Sequence, residues 1–370
     1  MKAKLKKIIR NPVFNVLLVV GLTILVLWLS LRNDGAEILS IIHHANWLML
    51  GVIAACMVLE RWIHGWGLAR ECRLSVPHYT YGQGFINAYT AGLFNNITPS
   101  ASGGQFAQVY IFRRQGVPTS DAIGVLWLDF IIYQTTMSLF VLLLLVLRFP
   151  YFYAKYSQFF IIVIFGFMVN SAVIFLLWAL ATHPRFYRWL TTSGLNIGCK
   201  LHLIKDKEKT KASIDGQLER FDQEIVILRA HKKTILLIAL SDLLRLVIYY
   251  SVAYLAAIAL HVKVTAGMYI DCVALASFVA MVNAFLPLPG SSGGTEATFI
   301  LMFSTIFGRI QATSIMLVWR ILTYYFQTIV GAGVYIYAKT RPEISYDNML
   351  AMPAQSDKKE SGEHATIERE

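Results

Sequence analysis

Long apolar runs separated by short polar stretches set the pattern of this chain. Residues 13–31, 47–68, 120–147, 157–182, 234–260 and 311–338 are each long enough to cross a bilayer core as a helix, so the pattern predicts about six spanning helices. The first run holds 19 residues without a charge. It is too long for a secretory signal and has no small-residue cleavage site after it, so it reads as a transmembrane helix. Two further apolar stretches, 79–112 and 265–308, do not read as simple spans. Each is broken near its middle by almost the same hexapeptide, Pro99-Ser100-Ala101-Ser102-Gly103-Gly104 and Pro289-Gly290-Ser291-Ser292-Gly293-Gly294. The 13 residues from Thr295 to Phe307 are too few to cross alone at about 1.5 Å per residue.

Composition agrees with this pattern. The 370 residues are 56% hydrophobic and 15% charged, with mean hydropathy +0.55, as expected of a polytopic membrane protein. The formal charge of +11 does not call for nucleic acid, because the basic residues lie between apolar spans rather than on one soluble face. Lys2, Lys4, Lys6, Lys7 and Arg10 precede the first run, and residues 183–233 carry eleven Lys and Arg against six Asp and Glu. Both segments are therefore expected on the cytoplasmic side, with 32–46, 148–156 and 261–264, poor in Lys and Arg, outside.

With those sides fixed, 79–112 enters and leaves on the cytoplasmic side, flanked by Arg70, Arg73, Arg113 and Arg114. A re-entrant hairpin satisfies this. The same reasoning makes 265–308 a hairpin entering from outside, so the two tips meet near the midplane in an inverted repeat. The alternative is that one or both are ordinary pairs of crossings. The expected architecture is thus all-α, with a basic amino-terminal segment (1–12), a membrane domain (13–338) that includes an amphipathic cytoplasmic segment (183–233), and a polar, disordered tail (339–370). A weak echo, Trp127 with Asp129 and Trp319 with Arg320, follows the two prolines by about thirty residues.

The hexapeptides are the best pointer to a site. Proline removes a donor and glycine weakens helical order, so backbone groups at membrane depth become free to meet a ligand. Helices starting after Gly104 and Gly294 would aim their first N–H groups inward, toward phosphate or carboxylate. Asn95, Asn96, Thr98, Ser100, Ser102, Gln105 and Gln108 add a polar cluster at the first tip. The competing reading is that these small polar residues only let helices pack and satisfy one another.

Ionisable residues inside spans are the second signal, each costing roughly 2.5–3.5 kcal/mol at a membrane helix centre. They are Asp129, Asp242, Arg245, Asp271, Glu296 and Arg320, with Glu60 and Arg61 nearer an inner end. Asp242 and Arg245, three apart, read as an intrahelical pair, and Asp271 as a residue facing water. Glu296 is either a cap at a helix start, favoured by the dipole, or part of a site. Arg320 needs an acid, with Asp129 and Glu296 as candidates, or an anionic ligand such as phosphate. The candidate binding set is Pro99, Ser102, Gly103, Gly104, Gln105, Asp129, Arg245, Pro289, Ser292, Gly293, Gly294, Glu296 and Arg320.

Other chemistry finds little support. Cys56, Cys72, Cys199 and Cys272 share no redox or metal spacing, and Glu60 and His64 at helical spacing suggest a local hydrogen bond rather than a metal site. No metal or cofactor is expected. No phosphate loop, kinase set or nucleophile elbow is present, and glycine-rich tips without a following lysine argue against a nucleotide pump.

The run Asn95-Asn96-Ile97-Thr98-Pro99-Ser100-Ala101-Ser102-Gly103-Gly104-Gln105, with Arg113, Arg114 and Gly116, resembles the first signature of the flippase-like transmembrane region of lysylphosphatidylglycerol synthase, the multiple peptide resistance factor family. Pro287-Leu288-Pro289-Gly290 through Gly294-Thr295-Glu296, then Gly308, Ala312 and Arg320, resembles the second. The resemblance covers all but the termini. It implies a multi-pass protein of the bacterial cytoplasmic membrane that binds and moves an anionic or aminoacylated phospholipid, such as lysyl-phosphatidylglycerol, or a polyprenyl-linked lipid. A soluble aminoacyl-lipid synthase is the implied partner, and no nucleic acid is bound directly. The acyltransferase-like domain of two-part members has no counterpart in the 32 residues after Ala338. Many relatives carry a basic residue near Ser100 to Ser102 and this chain does not, so the resemblance does not name the lipid. The rival expectations are phosphatidylglycerol lysyltransferase activity and a structural partner for another envelope enzyme.

Overall fold

The computed structural model describes residues 35–98, 101–182, 231–283, 291–346 and 348. The expected span at 13–31, nearly all of 183–233, most of the tail, and Pro99 and Pro289 lie outside the described residues. Every regular element among the described residues is helical: α1 (Gly35–His43), α2 (Trp47–Cys72), α3 (Tyr81–Ile97), α4 (Gly103–Arg114), α5 (Thr119–Thr182), α6 (Lys232–Ala259), α7 (Met268–Asn283), α8 (Gly294–Phe307), α9 (Arg309–Arg320) and α10 (Gln327–Thr340). A π-helical segment, Ile321–Phe326, joins α9 to α10, so residues 309–340 run as one long helix. The chain is an all-helical polytopic membrane protein. Four described segments are long and apolar enough to cross, Trp47–Cys72, Thr119–Arg148, Lys232–Ala259 and Arg309–Thr340, and they coincide with four of the expected spans. Large apolar side chains on their outer faces, such as Leu48, Leu143, Val146, Leu240 and Ile329, are exposed, as lipid contact requires.

One expected loop is absent. A break was expected at 148–156, but α5 continues through it to Thr182. That stretch carries no glycine and no Ser, Asp or Asn to cap a new helix before Ser157. Pro150 is the one helix-breaking residue there, and the helix runs on through it.

The two broken stretches form helical hairpins, α3 with α4 and α7 with α8. Their bases lie at opposite ends of the bundle. At one end, Leu68, Ala69 and Cys72 of α2 pack with Val76, Tyr79, Phe112 and Val117, and Arg114 meets Glu343 at 2.8 Å just beyond α10. At the other end, the Asn46 N–H before α2 donates to the Ala259 carbonyl closing α6 at 2.7 Å. There Arg148 Nε meets Asp271 Oδ1 in the first turn of α7 at 2.9 Å. Asp271, expected to face water, is buried in this pair.

Helices in lipid gain from close packing rather than from hydrophobic burial, and small residues mark the tightest crossings. A Cβ on Gly84 of α3 would lie 2.1 Å from the Gly65 carbonyl oxygen of α2, and one on Gly65 would lie 2.6 Å from the Phe85 Cα. On α6, Ala253, Ala256, Ala257 and Ala259 are fully buried. Phe299 and Phe303 of α8 stack with centroids 4.1 Å apart, and Phe299 packs on Trp319 of α9 at 5.0 Å. These contacts hold the second hairpin rigidly against the long last helix.

Candidate functional site

The tips of the hairpins share one conformational device. Ala101 (φ 51°) and Ser291 (φ 49°) occupy the same third place in their hexapeptides, and both are left-handed without being glycine. Such a residue persists only where its surroundings hold it. Both line the same cavity.

At the first tip, the N–H groups of Gly103 and Gly104 are not free. Gly103 donates to Thr98 Oγ1 at 2.8 Å and Gly104 to Asn95 Oδ1 at 3.0 Å. The helix expected to start after Gly104 starts instead at Gly103, and the end of α3 caps its first two amides. A Cβ on Gly104 would sit 2.1 Å from Asn95 Oδ1 and displace that cap. Ser102 and Gln105 are exposed and stand outside the cavity lining.

At the second tip, Glu296 caps a helix start, the first of its two expected readings, and also pairs with Arg320. Its Oε2 accepts from the Gly293 N–H at 2.7 Å, capping α8, while its Oε1 pairs with Arg320 Nε at 2.9 Å. Gly293 has φ 90°, a left-handed conformation that suits glycine. Ser292, fully buried, accepts from Arg320 Nη2 at 3.1 Å, and the Arg320 guanidinium lies 4.0 Å over the Tyr324 ring. Of the two acids considered for Arg320, the structure selects Glu296. The next turns of the same long helix reach the first tip. Tyr324 Oη donates to the Asn96 carbonyl at 3.1 Å, and Asn96 Nδ2 donates to Thr328 Oγ1 at 2.9 Å. The π segment between them adds a residue to the turn, a feature frequent at functional sites.

Between the tips lies a cavity of about 220 Å³. Arg61 of α2, Asn95, Asn96 and Ala101 of the first tip, and Tyr249 of α6 line one part. Asn283, Ser291 and Thr295 of the second tip, with Trp319, Arg320, Thr323 and Tyr324, line the rest. Among the described residues its charged lining is Arg61 and Arg320, with no carboxylate beside them. Two buried polar atoms of the lining, Trp319 Nε1 and Asn283 Oδ1, make no hydrogen bond among the described residues. A buried polar atom without a partner is costly, and these two offer a donor and an acceptor to an occupant.

Asp129 and Arg245 are placed elsewhere. Asp129 Oδ1 lies 3.7 Å from His64 Nε2, so His64 stands beside α5, and the local hydrogen bond expected with Glu60 is not formed. Arg245 is 3.6 Å from Asp242 on its own helix and 3.6 Å from Glu60 of α2. Glu60 also meets Arg61 Nε at 3.2 Å. These residues form a second polar cluster beside the cavity, joined to it by Arg61. The proposed echo of Trp127 and Trp319 does not extend to position: Trp319 is buried at the cavity, while Trp127 is 43% exposed.

Sequence reasoning missed Arg61, Tyr249, Asn283, Thr323 and Tyr324 as lining residues. Asn283 had a usable signal, since it precedes Pro289 much as Asn95 and Asn96 precede Pro99. The tyrosines and Thr323 carry no charge to mark them within apolar runs.

No curated protein and no solved structure matches the chain at a significant level. The family model described as the lysylphosphatidylglycerol synthase TM region matches residues 15–331, which take in both hairpins, the cavity between them and, among the described residues, three of the four spanning segments whole and the fourth as far as Gly331. The chain therefore belongs to this lipid-related membrane family.

Proposed function

We propose that the chain binds the anionic headgroup of a phospholipid between the two hairpin tips and carries it across the membrane. The observation that carries this reading is the charge of the cavity wall, two guanidiniums without a lining carboxylate. Guanidinium forks match phosphate oxygens in both charge and geometry, and Trp319 Nε1 adds a directed donor. A cavity of about 220 Å³ is small beside the roughly 300–1,000 Å³ of pockets that enclose whole ligands. It suits a headgroup whose acyl chains stay in the lipid.

The phosphodiester is the part recognised. Glu296 is committed to Arg320 and to the cap, and Asp129 stands outside the cavity, so the wall gives no carboxylate to select an aminoacyl amine. Phosphatidylglycerol and lysyl-phosphatidylglycerol share the phosphodiester, and both are expected as cargo. The opposed hairpins support alternating access, because each could open the cavity to one side of the membrane.

The test is movement of a fluorescent phosphatidylglycerol analogue in proteoliposomes, read by external quenching of the probe. The combination of R61Q with the paired changes E296Q and R320Q is expected to slow it at least tenfold with the fold retained. Unchanged movement in that folded variant would refute the proposal.

A further inference from the structure

The cluster beside the cavity holds one acid too many. Glu60 and Asp242 are buried, and Asp129 is largely so. Among the described residues the cations beside them are Arg61 and Arg245, which leaves a net charge of −1 when His64 is neutral. A net charge at membrane depth is costly, and one proton removes it. The pairing is also slack. Arg245 stands at 3.6 Å from both Glu60 and Asp242, beyond hydrogen-bond length, whereas Arg320 holds Glu296 at 2.9 Å. Asp242 Oδ2 and both ring nitrogens of His64 are buried and make no hydrogen bond.

We propose that this cluster binds one proton, with Asp242 as its acceptor, and that the proton is coupled to occupancy of the cavity through Glu60 and Arg61. This rests on the cavity being an anion site. Arg245 on its own helix pairs with Asp242 and also meets Glu60 of α2. Asp129 on α5 and Glu60 act on Asp242 electrostatically, His64 lies 3.7 Å from Asp129, and the Tyr133 ring lies against Arg245. When Asp242 is ionised, it shares Arg245 with Glu60, and Glu60 keeps its hold on Arg61. When a proton joins Asp242 Oδ2, the carboxylate becomes a neutral acid and Arg245 passes to Glu60. Glu60 then releases Arg61, whose guanidinium turns to the anion in the cavity it already lines. Proton and anion therefore favour each other's binding, and the linkage is reciprocal. A proton gradient across the membrane would then drive the lipid in one direction.

The experiment is calorimetric titration of the full chain, in zwitterionic phosphatidylcholine nanodiscs, with short-chain phosphatidylglycerol at pH 6 and pH 8. Two buffers of different ionisation enthalpy report the protons taken up. The probe's phosphodiester stays ionised throughout, so any linkage belongs to the protein. Wild-type affinity is expected to be higher at pH 6, changing by up to about tenfold per pH unit with uptake of up to one proton. D242N is expected to bind at pH 8 with the affinity of wild type at pH 6 and to take up none. Equal wild-type affinity at both pH values without proton uptake overturns the coupling while leaving the anion site standing. Pronounced pH dependence that survives in D242N overturns the assignment to Asp242. Absence of binding at either pH removes the anion site and the coupling with it. If D242N does not fold, proton uptake by wild type alone decides the coupling, and E60Q, which should release Arg61 permanently, replaces it as the pH-insensitive variant.

Discussion

The most consequential residues are Glu296 and Arg320, whose pairing joins the second hairpin to the last helix. Each is buried, and each has partners besides the other: Gly293 for Glu296, Ser292 and Tyr324 for Arg320. E296Q keeps an oxygen for the Gly293 cap but strips Arg320 of its counter-charge. Breaking a buried pair in this way costs about 3–5 kcal/mol. Adding R320Q removes the stranded charge, so the double variant is expected to lose less stability than the two single losses combined, by about 0.5–3 kcal/mol. Unfolding of all three variants in one detergent measures this, and additive losses would mean that the two residues do not act as a pair.

At the scale of elements, the hairpins are positioned by close helix crossings. The approach of α3 to α2 at Gly84 and Gly65 leaves no room for a methyl group. G84A is expected to destabilise by about 1–3 kcal/mol as the helices are forced apart. G51A on the same α2, where nothing lies within 4 Å of the added carbon, is expected to stay within about 0.5 kcal/mol of wild type. Thermal unfolding of the two variants side by side makes the comparison, and equal melting would contradict the crossing. The hexapeptides show how far such local signals reach. Their proline and glycine pattern announced a helix break, and the breaks are where the pattern put them. The fate of the freed amides was hidden, because Thr98 and Asn95 reach Gly103 and Gly104 only once the hairpin has closed.

For the whole molecule, the decisive feature is that the hairpin bases lie at opposite ends of the bundle. Exposed cysteines placed by S120C near the first base and K263C near the second, in a chain freed of its native cysteines, are expected to react with an impermeant maleimide from opposite sides of the membrane. Reaction of both from the same side would contradict the opposed arrangement. Four spans and both hairpins were legible in the sequence, because bilayer-length apolar runs and paired Pro/Gly breaks are one-dimensional signals. The continuity of α5 through 148–156 was not, since Pro150 resembles a stop and the lack of a following cap is a weaker sign. The need of Arg320 for a counter-charge was legible from the cost of a lone buried charge, but not which of Asp129, Glu296 or an anionic ligand would supply it. The convergence of Glu60, His64, Asp129, Asp242 and Arg245 was not, because α2, α5 and α6 bring it together from positions far apart in the chain.

The central claim, an anionic headgroup held between the tips by Arg61 and Arg320, is tested most directly by native mass spectrometry. The protein would be purified from vesicles containing equal amounts of phosphatidylglycerol and phosphatidylcholine. The account predicts at least tenfold preferential retention of phosphatidylglycerol, lost when R61Q is combined with E296Q and R320Q. Equal retention of the two lipids by the wild-type chain would contradict it.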